Sequence, residues 1–395
     1  MLSQLFDCFF FFPLQKNWAY TIDIKLPNIM SSPYIPEKLP IKNIDWLSLI
    51  GKLGEANRAI AGFNGILNAI SNPDLLLSPL TRDEAVLSSK IEGTQVDTID
   101  VLKYEAGIKE PSEERKNDIL EVLNYRKAIQ FGAVETKKRN ITLHLVRQLH
   151  EILMYGVRGS DKNPGEIRKA QNYIGSKAGG IKNARFVPPD PPLVPEYMDN
   201  FAEYIESDDR DVVAQAAILH AQFEIIRPFC DGNGRLGRML VPLFMYRKGI
   251  ISRPVLYISK YLKLNEMSYK DSLGAITETG DWTQWISFFL DAAIWQANSN
   301  YNAAKAIMEY YARTKSRILE MTSSKYAIML LDAIFSKPIF TQTSIGFEGA
   351  SRPTVFTLLK KMEEAGIIAR ISDASGRTGA VYALRELLEI AGGSD

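Results

Sequence analysis

The chain has 395 residues, and its 47 basic and 46 acidic side chains give a formal net charge of +1. This length allows a large core and two or three domains. The balanced charge excludes an overall field that would favour nucleic acid or a membrane surface. Two cysteines, Cys8 and Cys230, exclude a disulfide framework and indicate a reducing, cytoplasmic setting.

Residues 1–30 form an N-terminal extension of unclear role. The opening, "MLSQLFDCFFFFPLQKNW", has no basic residue before Lys16, and its apolar run stops at Pro13. It therefore lacks the basic start and the apolar length of a signal peptide, and it is too short to span a bilayer. Two interpretations stay open, an accessory strand or an over-extended start with Met30 as the alternative first residue. We expect no membrane contact.

Helical apolar spacing follows from residue 46 to about residue 107, with interruptions at Asn72-Pro73 and at Gly93. Thr81 followed by Glu84 predicts a capping box, and Gly93 would end that helix. The next stretch, from residue 111 to about residue 158, predicts two further helices.

A long segment rich in Gly and Pro comes next, "GEIRKAQNYIGSKAGGIKNARFVPPDPPLVPEYM". An irregular connection of this length inside a compact domain is commonly functional or disordered. Its centre, Ile181 to Val187, predicts a short hairpin. Residues 211–226 are nearly all apolar and predict a buried helix. Pro228 prevents its simple continuation, and a second helix is expected from near Asn233 toward Gly249.

The last 70 residues predict a separate unit in the order helix, short helix, helix, hairpin. The short helix falls in "FTQTSIGFEG", and the third helix lies between an N-cap at Ser351 and a terminating glycine at Gly366. This order is typical of a winged helix-turn-helix. The overall fold class is therefore mainly α.

The pattern richest in chemistry is "FEIIRPFCDGNGRLGRM", residues 223–239. A glycine-rich loop that opens a helix offers unpaired N–H groups and a positive dipole end, which suit an anion. Gly232 and Gly234 allow close approach of a phosphate, while Arg235 and Arg238 could clamp further phosphates. Asp231 could hold the Mg²⁺ that accompanies a nucleotide.

This motif resembles the signature of the Fic (Fido) family, H-P-F-x-D/E-G-N-G-R-x-x-R, at every position except the first, where the chain has Arg227. The resemblance extends from about residue 31 and includes "RFVPP", "ETGDWTQWISFFL" and the terminal winged helix. It implies a helical region at 31–110 with an inhibitory helix, a catalytic domain at 111–300 with a β-hairpin flap, a linker helix at 301–323 and a winged helix at 324–395.

The resemblance implies transfer of AMP from ATP to a Ser, Thr or Tyr hydroxyl of a target protein, with self-modification and an oligomer left open. The nucleotide-binding positions would be Asp231, Gly232, Asn233, Gly234, Arg235, Gly237 and Arg238, with Mg²⁺ on Asp231. The flap positions Ile181, Arg185, Phe186 and Val187 would align the target by main-chain pairing.

Arg227 stands where the family has the histidine that accepts the proton of the target hydroxyl. A guanidinium stays protonated at any ordinary pH, so Arg227 cannot act as a general base. Such a base contributes about 10²- to 10⁴-fold to a rate. His220, seven positions earlier, is interpreted as a buried, hydrogen-bonded residue, and His144 and His150 as structural. Arg227 marks either a natural pseudoenzyme or a substituted inactive form.

A second resemblance concerns "SSKIEG", residues 88–93, which matches the inhibitory pattern S/T-x-x-x-E-G/N of Fic proteins through Ser88 and Glu92. A carboxylate in the last turn of a helix opposes the helix dipole by about 0.3–1 kcal/mol. A cationic partner would offset this cost. By resemblance that partner is Arg238, whose capture would displace the γ-phosphate of ATP.

Two other functions compete with AMP transfer. One is a nucleotide-sensing regulator that binds DNA or docks protein through the winged helix. Residues 324–395 hold eight basic and eight acidic side chains, which is a poor electrostatic footprint for DNA and favours protein docking. The other is a phosphatase-like or de-adenylylating use of the same pocket.

Overall fold

The computed structural model describes residues 32–108, 112–175, 180–373 and 379–392. The predictions for residues 1–30, including the alternative start at Met30 and the state of Cys8, lie outside these ranges. Within them, no helix combines the length and the apolar character needed to cross a membrane.

Four helices precede the first gap, as the apolar spacing predicts. They are α1 (Trp46–Ala69), α2 (Pro73–Leu76), α3 (Ser78–Ile91) and α4 (Thr98–Glu105). Asp45 caps α1 by accepting from the N–H groups of residues 47 and 48, and Asn72 caps α2. The Asn72-Pro73 interruption therefore begins a helix rather than only ending one, because Pro is favourable at the first helical position.

The predicted capping box is wrong. Helix α3 begins at Ser78, so Thr81 lies inside it and its hydroxyl bonds back to Leu77 O. The Glu84 carboxylate is buried and accepts from the hydroxyls of Tyr125 at 2.9 Å and Ser259 at 2.6 Å. Tertiary partners thus claim the glutamate that a box would use. Gly93, with φ of 104°, does terminate this helix.

Five further helices lie between residues 113 and 247. They are α5 (Glu113–Lys138), α6 (Leu143–Leu153), α7 (Val194–Glu206), α8 (Val212–Ile226) and α9 (Asn233–Arg247). Helix α8 is buried along almost its whole length, as its apolar sequence predicts. Helix α9 is equally buried and packs against it. The connection between these two buried helices is itself only partly covered, since Arg227, Cys230 and Asp231 are half-buried.

The predicted linker helix at 301–323 is part of a longer element. After α10 (Ser259–Leu264) and α11 (Glu266–Thr279), helix α12 runs for 40 residues from Trp282 to Met321. Its first half packs on α8, where Trp285 Nε1 donates to Ala217 O at 2.8 Å. The proposed boundary at residue 300 consequently falls inside one continuous helix.

Residues 173–187 belong to a small unit of their own. Strand β1 (Ile174–Gly175) pairs antiparallel with β2 (Ala184–Phe186), and Ile181–Asn183 forms one turn of 3-10 helix before β2. A hairpin is therefore present, but the prediction of both strands within 181–187 is wrong, because the first strand lies upstream. Gly175 fits the pairing, since a Cβ there would lie 3.1 Å from Ala184 Cα.

The C-terminal elements are α13 (Ala327–Ser336), β3 (Ile339–Thr341), α14 (Arg352–Glu364), β4 (Ala369–Ser372), β5 (Val381–Ala383) and α15 (Arg385–Gly392). The strands form an antiparallel sheet in the order β3-β5-β4. Ser351 accepts from Thr354 N at 3.4 Å as an N-cap, and Gly366 has φ of 68° after α14.

The prediction of a short helix in "FTQTSIGFEG" is wrong. Residues 339–341 form β3, and the following residues form turns. Ser344 Oγ accepts from Thr341 N at 2.8 Å and donates to Thr341 O at 3.1 Å. These local side-chain bonds compete with a helix for the same backbone groups.

The C-terminal sheet shares a core with the N-terminal helical region. Leu102 and Ala106, at the end of α4, form one buried cluster with Ile339 of β3 and with Val381 and Ala383 of β5. This sheet is therefore packed against α4 rather than attached only through α12. The winged-helix assignment itself stays a prediction.

Candidate functional site

The glycine-rich motif forms the tight connection between α8 and α9. Helix α8 ends at Arg227, which adopts a left-handed conformation with φ of 45°. Gly232, with φ of 72°, precedes the first turn of α9. A Cβ at Gly232 would lie 2.7 Å from Met154 Sδ and 3.3 Å from His150 Nε2. Glycine is required there by both conformation and space.

The side chain of Asn233 holds this loop in shape. Its Oδ1 accepts from Phe229 N at 2.9 Å, and its Nδ2 donates to Phe229 O at 2.8 Å. Both ends of the amide are thus engaged by the loop, and what Asn233 offers a ligand is its N–H at the start of α9. The first N–H groups of a helix have no intrahelical partner, so this end presents donors to an anion.

Asp231 is the predicted Mg²⁺ ligand, and its carboxylate already has two donors. Oδ2 accepts from Lys162 Nζ at 2.7 Å, and Oδ1 accepts from Gly232 N at 2.8 Å. Burial pushes the pKa of Asp231 upward, but the bonds from Lys162 and Gly232 outweigh it and hold the pKa below its ordinary value. The group is an ionised carboxylate beside a cation.

The side chains around Asp231 could hold Mg²⁺ only if a bound nucleotide supplied further ligands. Among the described residues, no group of three or more acidic, His or Cys side chains could hold a metal. One carboxylate together with the phosphate oxygens of a nucleotide is, however, the usual set for this ion. Asp231 could provide that single protein ligand once Lys162 releases it.

Different neighbouring helices hold the two arginines of the motif in this structure, and their clamping of phosphates stays a prediction. Arg235 Nη1 donates to Glu121 Oε2 of α5 at 2.7 Å, and both side chains are buried. Arg238 bonds in another direction, to α3. Its Nε donates to Ser88 Oγ and its Nη2 to Ser88 O, each at 2.9 Å. The arginines are three residues apart, yet each is fixed by a different neighbouring helix.

Glu92 lies at the N-terminal end of α9. Its Oε1 accepts from Arg238 Nη2 at 2.7 Å. The same oxygen rests so close to Gly234 that a Cβ at that position would overlap it. Burial alone would raise the pKa of Glu92, but the charge and the hydrogen bond of Arg238 lower it by more. The pKa of Glu92 is therefore below its ordinary value. An ionised carboxylate therefore occupies the place where the helix end favours an anion.

Gly237 is explained by packing between α8 and α9. A Cβ there would lie 2.8 Å from Glu224 Oε1 and 3.1 Å from Phe223 Cδ1. Glycine allows the two helices to approach while the Glu224 carboxylate lies between them. The predicted nucleotide contact of Gly237 stays a prediction.

Arg227 has a buried carboxylate beside it. Its Nη1 lies 3.5 Å from Glu224 Oε2, and the side chains are 22% and 10% exposed. Glu224 Oε1 has no hydrogen-bond partner among the described residues. Burial raises the pKa of Glu224 above its ordinary value, although Arg227 and Arg238 oppose the shift. Sequence reasoning missed Glu224, which the i, i+3 spacing on a helix could have indicated.

The histidines do not replace the missing base. His220 is buried, its Nε2 lies 3.1 Å from Tyr269 OH, and burial lowers its pKa to about 3. His150 Nδ1 accepts from Gly165 N at 2.8 Å, so its Nε2–H donates to Asp231 O at 2.9 Å. His150 also stacks on Phe229, 3.9 Å between ring centroids. It supports the loop, which agrees with its interpretation as a structural residue, although the sequence did not reveal what it supports.

Arg168 is the second support that sequence reasoning missed. It is 2% exposed, and its guanidinium donates to the carbonyls of Arg227 at 2.9 Å, Pro189 at 2.5 Å, Ala170 at 3.3 Å and Ile226 at 3.4 Å. Two of these carbonyls end α8, where a cation also suits the helix dipole. Burial lowers its pKa to about 10. Arg168 therefore fixes the turn that carries position 227.

The predicted flap residues all lie in the small unit. Ile181 begins the 3-10 turn, Arg185 and Phe186 belong to β2, and Val187 follows directly. Their part in aligning a target stays a prediction.

Two family models match this chain, and each of them covers one part of the site. Residues 50–134 match the family model described as "Fic/DOC family N-terminal", and residues 140–245 match the one described as "Fic/DOC family". The chain belongs to the Fic/DOC family. The inhibitory-pattern residues Ser88 and Glu92 lie in the first match, and the loop with all of α9 up to residue 245 lies in the second.

Curated relatives are named as adenylyltransferases. A probable protein adenylyltransferase of Aquifex aeolicus is 31% identical over 193 residues, which cover 47% of this chain and 54% of that protein. A protein adenylyltransferase Fic of Drosophila grimshawi is 30% identical over 40% of this chain and 32% of its own length. The matches thus span about half or less of these relatives.

Solved structures confirm the fold. A Fic family protein from Desulfovibrio desulfuricans G20 aligns with a TM-score of 0.52 and 20% identity, over 88% of this chain and 98% of that one. A Fic domain protein from Bacteroides thetaiotaomicron aligns with a TM-score of 0.51 and 19% identity, over 64% of this chain and 97% of its own. At these identities the likeness concerns the mainly α Fic fold alone.

Proposed function

We propose that this chain binds ATP and belongs to the protein adenylyltransferases, which transfer AMP to a Ser, Thr or Tyr hydroxyl of a protein. In the proposal, Glu92 holds the site shut, and Arg227 leaves the chain with little transfer activity. The observation that carries it is the Glu92 carboxylate, which rests on Gly234 at the positive end of α9 and is bound by Arg238. The names of the Aquifex and Drosophila relatives support the reaction class.

Each residue has a defined part in this proposal. The first N–H groups of α9 receive phosphate oxygens, because helix N-termini are anion sites. Arg238 receives the terminal phosphate after Glu92 has left it. Asp231 would hold Mg²⁺, which would neutralise phosphate charge when bound. Arg168, His150 and the Asn233 side chain keep the loop rigid, so the donors are arranged before the nucleotide arrives.

Arg227 removes the step in which the target hydroxyl loses its proton. Its guanidinium has no lone pair that could accept a proton at ordinary pH. Loss of a general base costs about 10²- to 10⁴-fold in rate. We therefore expect the chain to bind nucleotide but to label itself or a target weakly.

The test uses ATP labelled in its α-phosphate and four forms of the full chain: wild type, Arg227→His, Glu92→Gly and the double variant. We expect labelling to rise in Arg227→His and to be strongest in the double variant. Arg253→His, a change on an exposed arginine paired with Asp74, serves as the matched control and should match wild type. Wild-type labelling equal to that of Arg227→His would contradict the assigned defect.

A second function, a nucleotide-sensing regulator without catalysis, is favoured by one structural observation. The C-terminal sheet shares a buried cluster with α4, which follows the inhibitory helix α3 directly in the chain. A change of α3 on nucleotide binding could therefore reach a docking surface on the C-terminal elements. Undiminished ATP binding, together with absence of labelling in the double variant, would favour this function over transfer.

A further inference from the structure

A cavity of about 300 Å³ lies against α3, and none of the residues that line it belongs to the glycine-rich motif. We call it the α3 cavity. Its wall includes the α3 side chains Leu80, Asp83 and Leu87, Lys260 at the start of α10, Gln296 of α12 and Glu389 of α15. Its volume is at the lower end of the range of small-molecule sites.

The orientation of Gln296 leaves an acceptor without a donor. Asn300 Nδ2 donates to Val255 O at 3.2 Å, so Asn300 Oδ1 must face Gln296, whose Nε2 donates to it at 2.7 Å. This fixes Gln296 Oε1 as the remaining end of the amide. Gln296 is only 4% exposed, and Oε1 has no partner among the described residues. A buried acceptor of this kind normally has a donor.

The charges of the wall are also unbalanced toward acceptors. The Asp83 carboxylate accepts from Thr98 Oγ1 at 2.9 Å, and within the described ranges no cation lies in ion-pair distance of it. Burial raises the pKa of Asp83 to about 6, although Lys260 opposes the shift. Glu389 adds a second carboxylate at the exposed side. Lys260 is the single cation among the described residues that line the wall, so a donor-rich, positively charged ligand would satisfy what remains.

We propose that the α3 cavity binds a small aliphatic diamine. One ammonium group would pair with Asp83 and donate to Gln296 Oε1, while the other would pair with Glu389. The methylene chain between them would cover the apolar wall of Leu80 and Leu87. An ammonium group carries three donors and no acceptor, which matches this set of groups.

Such a ligand would act on the inhibitory helix. Asp83 and Glu92 are nine residues apart on α3, which is about 14 Å along a helix axis. A molecule that bridges α3 to α12 and α15 binds best when α3 stays in the position where Glu92 holds Arg238. It would therefore favour the closed site over the nucleotide-bound one. This regulatory step rests on the proposed function, whereas the binding site does not.

The binding test uses the full chain without nucleotide, with 1,4-diaminobutane as the probe and 1,4-butanediol as the neutral control of equal length. At constant ionic strength, calorimetry should show saturable binding of the diamine, and the Tm should rise by a few degrees at a concentration about 100-fold above its Kd. The diol should do neither. Equal effects of diamine and diol would overturn the proposal.

Variants test the assigned groups. Asp83→Asn keeps the side-chain shape and should weaken diamine binding at least tenfold, and Glu389→Gln should weaken it severalfold. Asp208→Asn, a fully exposed carboxylate outside the wall, should leave the Kd unchanged. If Asp83→Asn does not fold, the exposed Glu389→Gln still decides. Unchanged diamine affinity in Glu389→Gln and in every folded Asp83 variant would mean that the diamine acts only by general charge screening, and it would overturn the site.

The regulatory arm has a separate readout. The diamine should lower ATP affinity in wild type and leave it unchanged in Glu92→Gly, where α3 no longer competes for Arg238. Failure of wild type to bind ATP would count against the proposed function and leave the diamine site intact. Diamine binding with no effect on ATP affinity would overturn the coupling through α3.

Discussion

Replacing Glu92 by Gln isolates the charge that holds the site shut in the proposed function. The change keeps the length of the side chain and removes the carboxylate that Arg238 Nη2 contacts at 2.7 Å. The amide oxygen of Gln can still accept from Arg238, and the bonds to Ser88 Oγ and Ser88 O stay in place, but the guanidinium loses its counter-charge although its side chain is only 1% exposed. A buried guanidinium without its counter-ion is destabilising.

The size of the effect follows from the exposure of the two partners. Breaking a fully buried pair costs about 3–5 kcal/mol, but the Glu92 side chain is 31% exposed and the Ser88 contacts remain. We therefore expect Glu92→Gln to lower the free energy of unfolding by about 2 kcal/mol, which corresponds to a few degrees in Tm. ATP should raise the Tm of the variant more than that of wild type, because its phosphate restores a counter-ion to Arg238.

The pH dependence gives an independent check. The pKa of Glu92 is depressed in the folded state, so its stabilising contribution is complete above the ordinary value of 4.5. That contribution is lost as the pH falls through the lower folded pKa. The difference in unfolding free energy between wild type and Glu92→Gln should therefore be constant near neutral pH and shrink below about pH 4.

The assay is thermal and denaturant unfolding with and without ATP, beside Glu114→Gln, a change of an exposed glutamate in the first turn of α5. The control should leave the ATP-induced rise in Tm unchanged. Equal stability of wild type and Glu92→Gln at pH 7, or an identical response of the two proteins to ATP, would contradict a stabilising charge pair between Glu92 and Arg238.

Three further changes test neighbouring parts of the site. Lys162→Met frees the Asp231 carboxylate. It should increase the ratio of the ATP affinity measured with Mg²⁺ to that measured with a chelator, whereas the control Lys169→Met should not. An unchanged ratio would contradict competition between Lys162 and Mg²⁺ for Asp231. Arg168→Gln leaves buried carbonyls without donors and should cost about 3 kcal/mol in denaturant unfolding; unchanged stability would contradict the role of Arg168 in holding the turn. Gly234→Ala should expel Glu92 and cost about 2 kcal/mol, with no further loss when Glu92→Gly is also present; additive losses would disprove the overlap.

The helical framework was predictable because periodic apolar spacing reports burial. Helix α8 is buried along nearly its whole length and reads as an apolar run, and Gly93 and Gly366 end helices where only a positive φ fits. The errors arose where a side chain could bond to groups near it in sequence but binds a partner that is distant in sequence instead. Glu84 illustrates this, since Tyr125 and Ser259, distant in sequence, bind the carboxylate that a capping box would need.

The sequence predicted that the motif forms a loop at the start of a helix, but it did not predict the directions of the motif side chains. A motif shows that Arg235 and Arg238 are three positions apart, but their directions depend on Glu121 and Ser88, which come from other helices. Supports such as Arg168 escaped detection for the same reason. It makes its bonds to backbone carbonyls, and a carbonyl carries no signal in the sequence.

Glu92 shows how a local disadvantage becomes a tertiary advantage. At the C-terminal end of α3 its charge opposes the dipole of its own helix, yet the fold places it on Gly234 at the N-terminal end of α9. There the same charge is favoured. A phosphate would gain from this helix end and from Arg238 for the same reason, and it carries more charge and more acceptors. In the proposed function, the affinity of the site for ATP would therefore be set by the difference between two anions rather than by the phosphate contacts alone. For this reason, changes on α3 far from the loop, including those in the α3 cavity, should alter nucleotide affinity without touching the nucleotide.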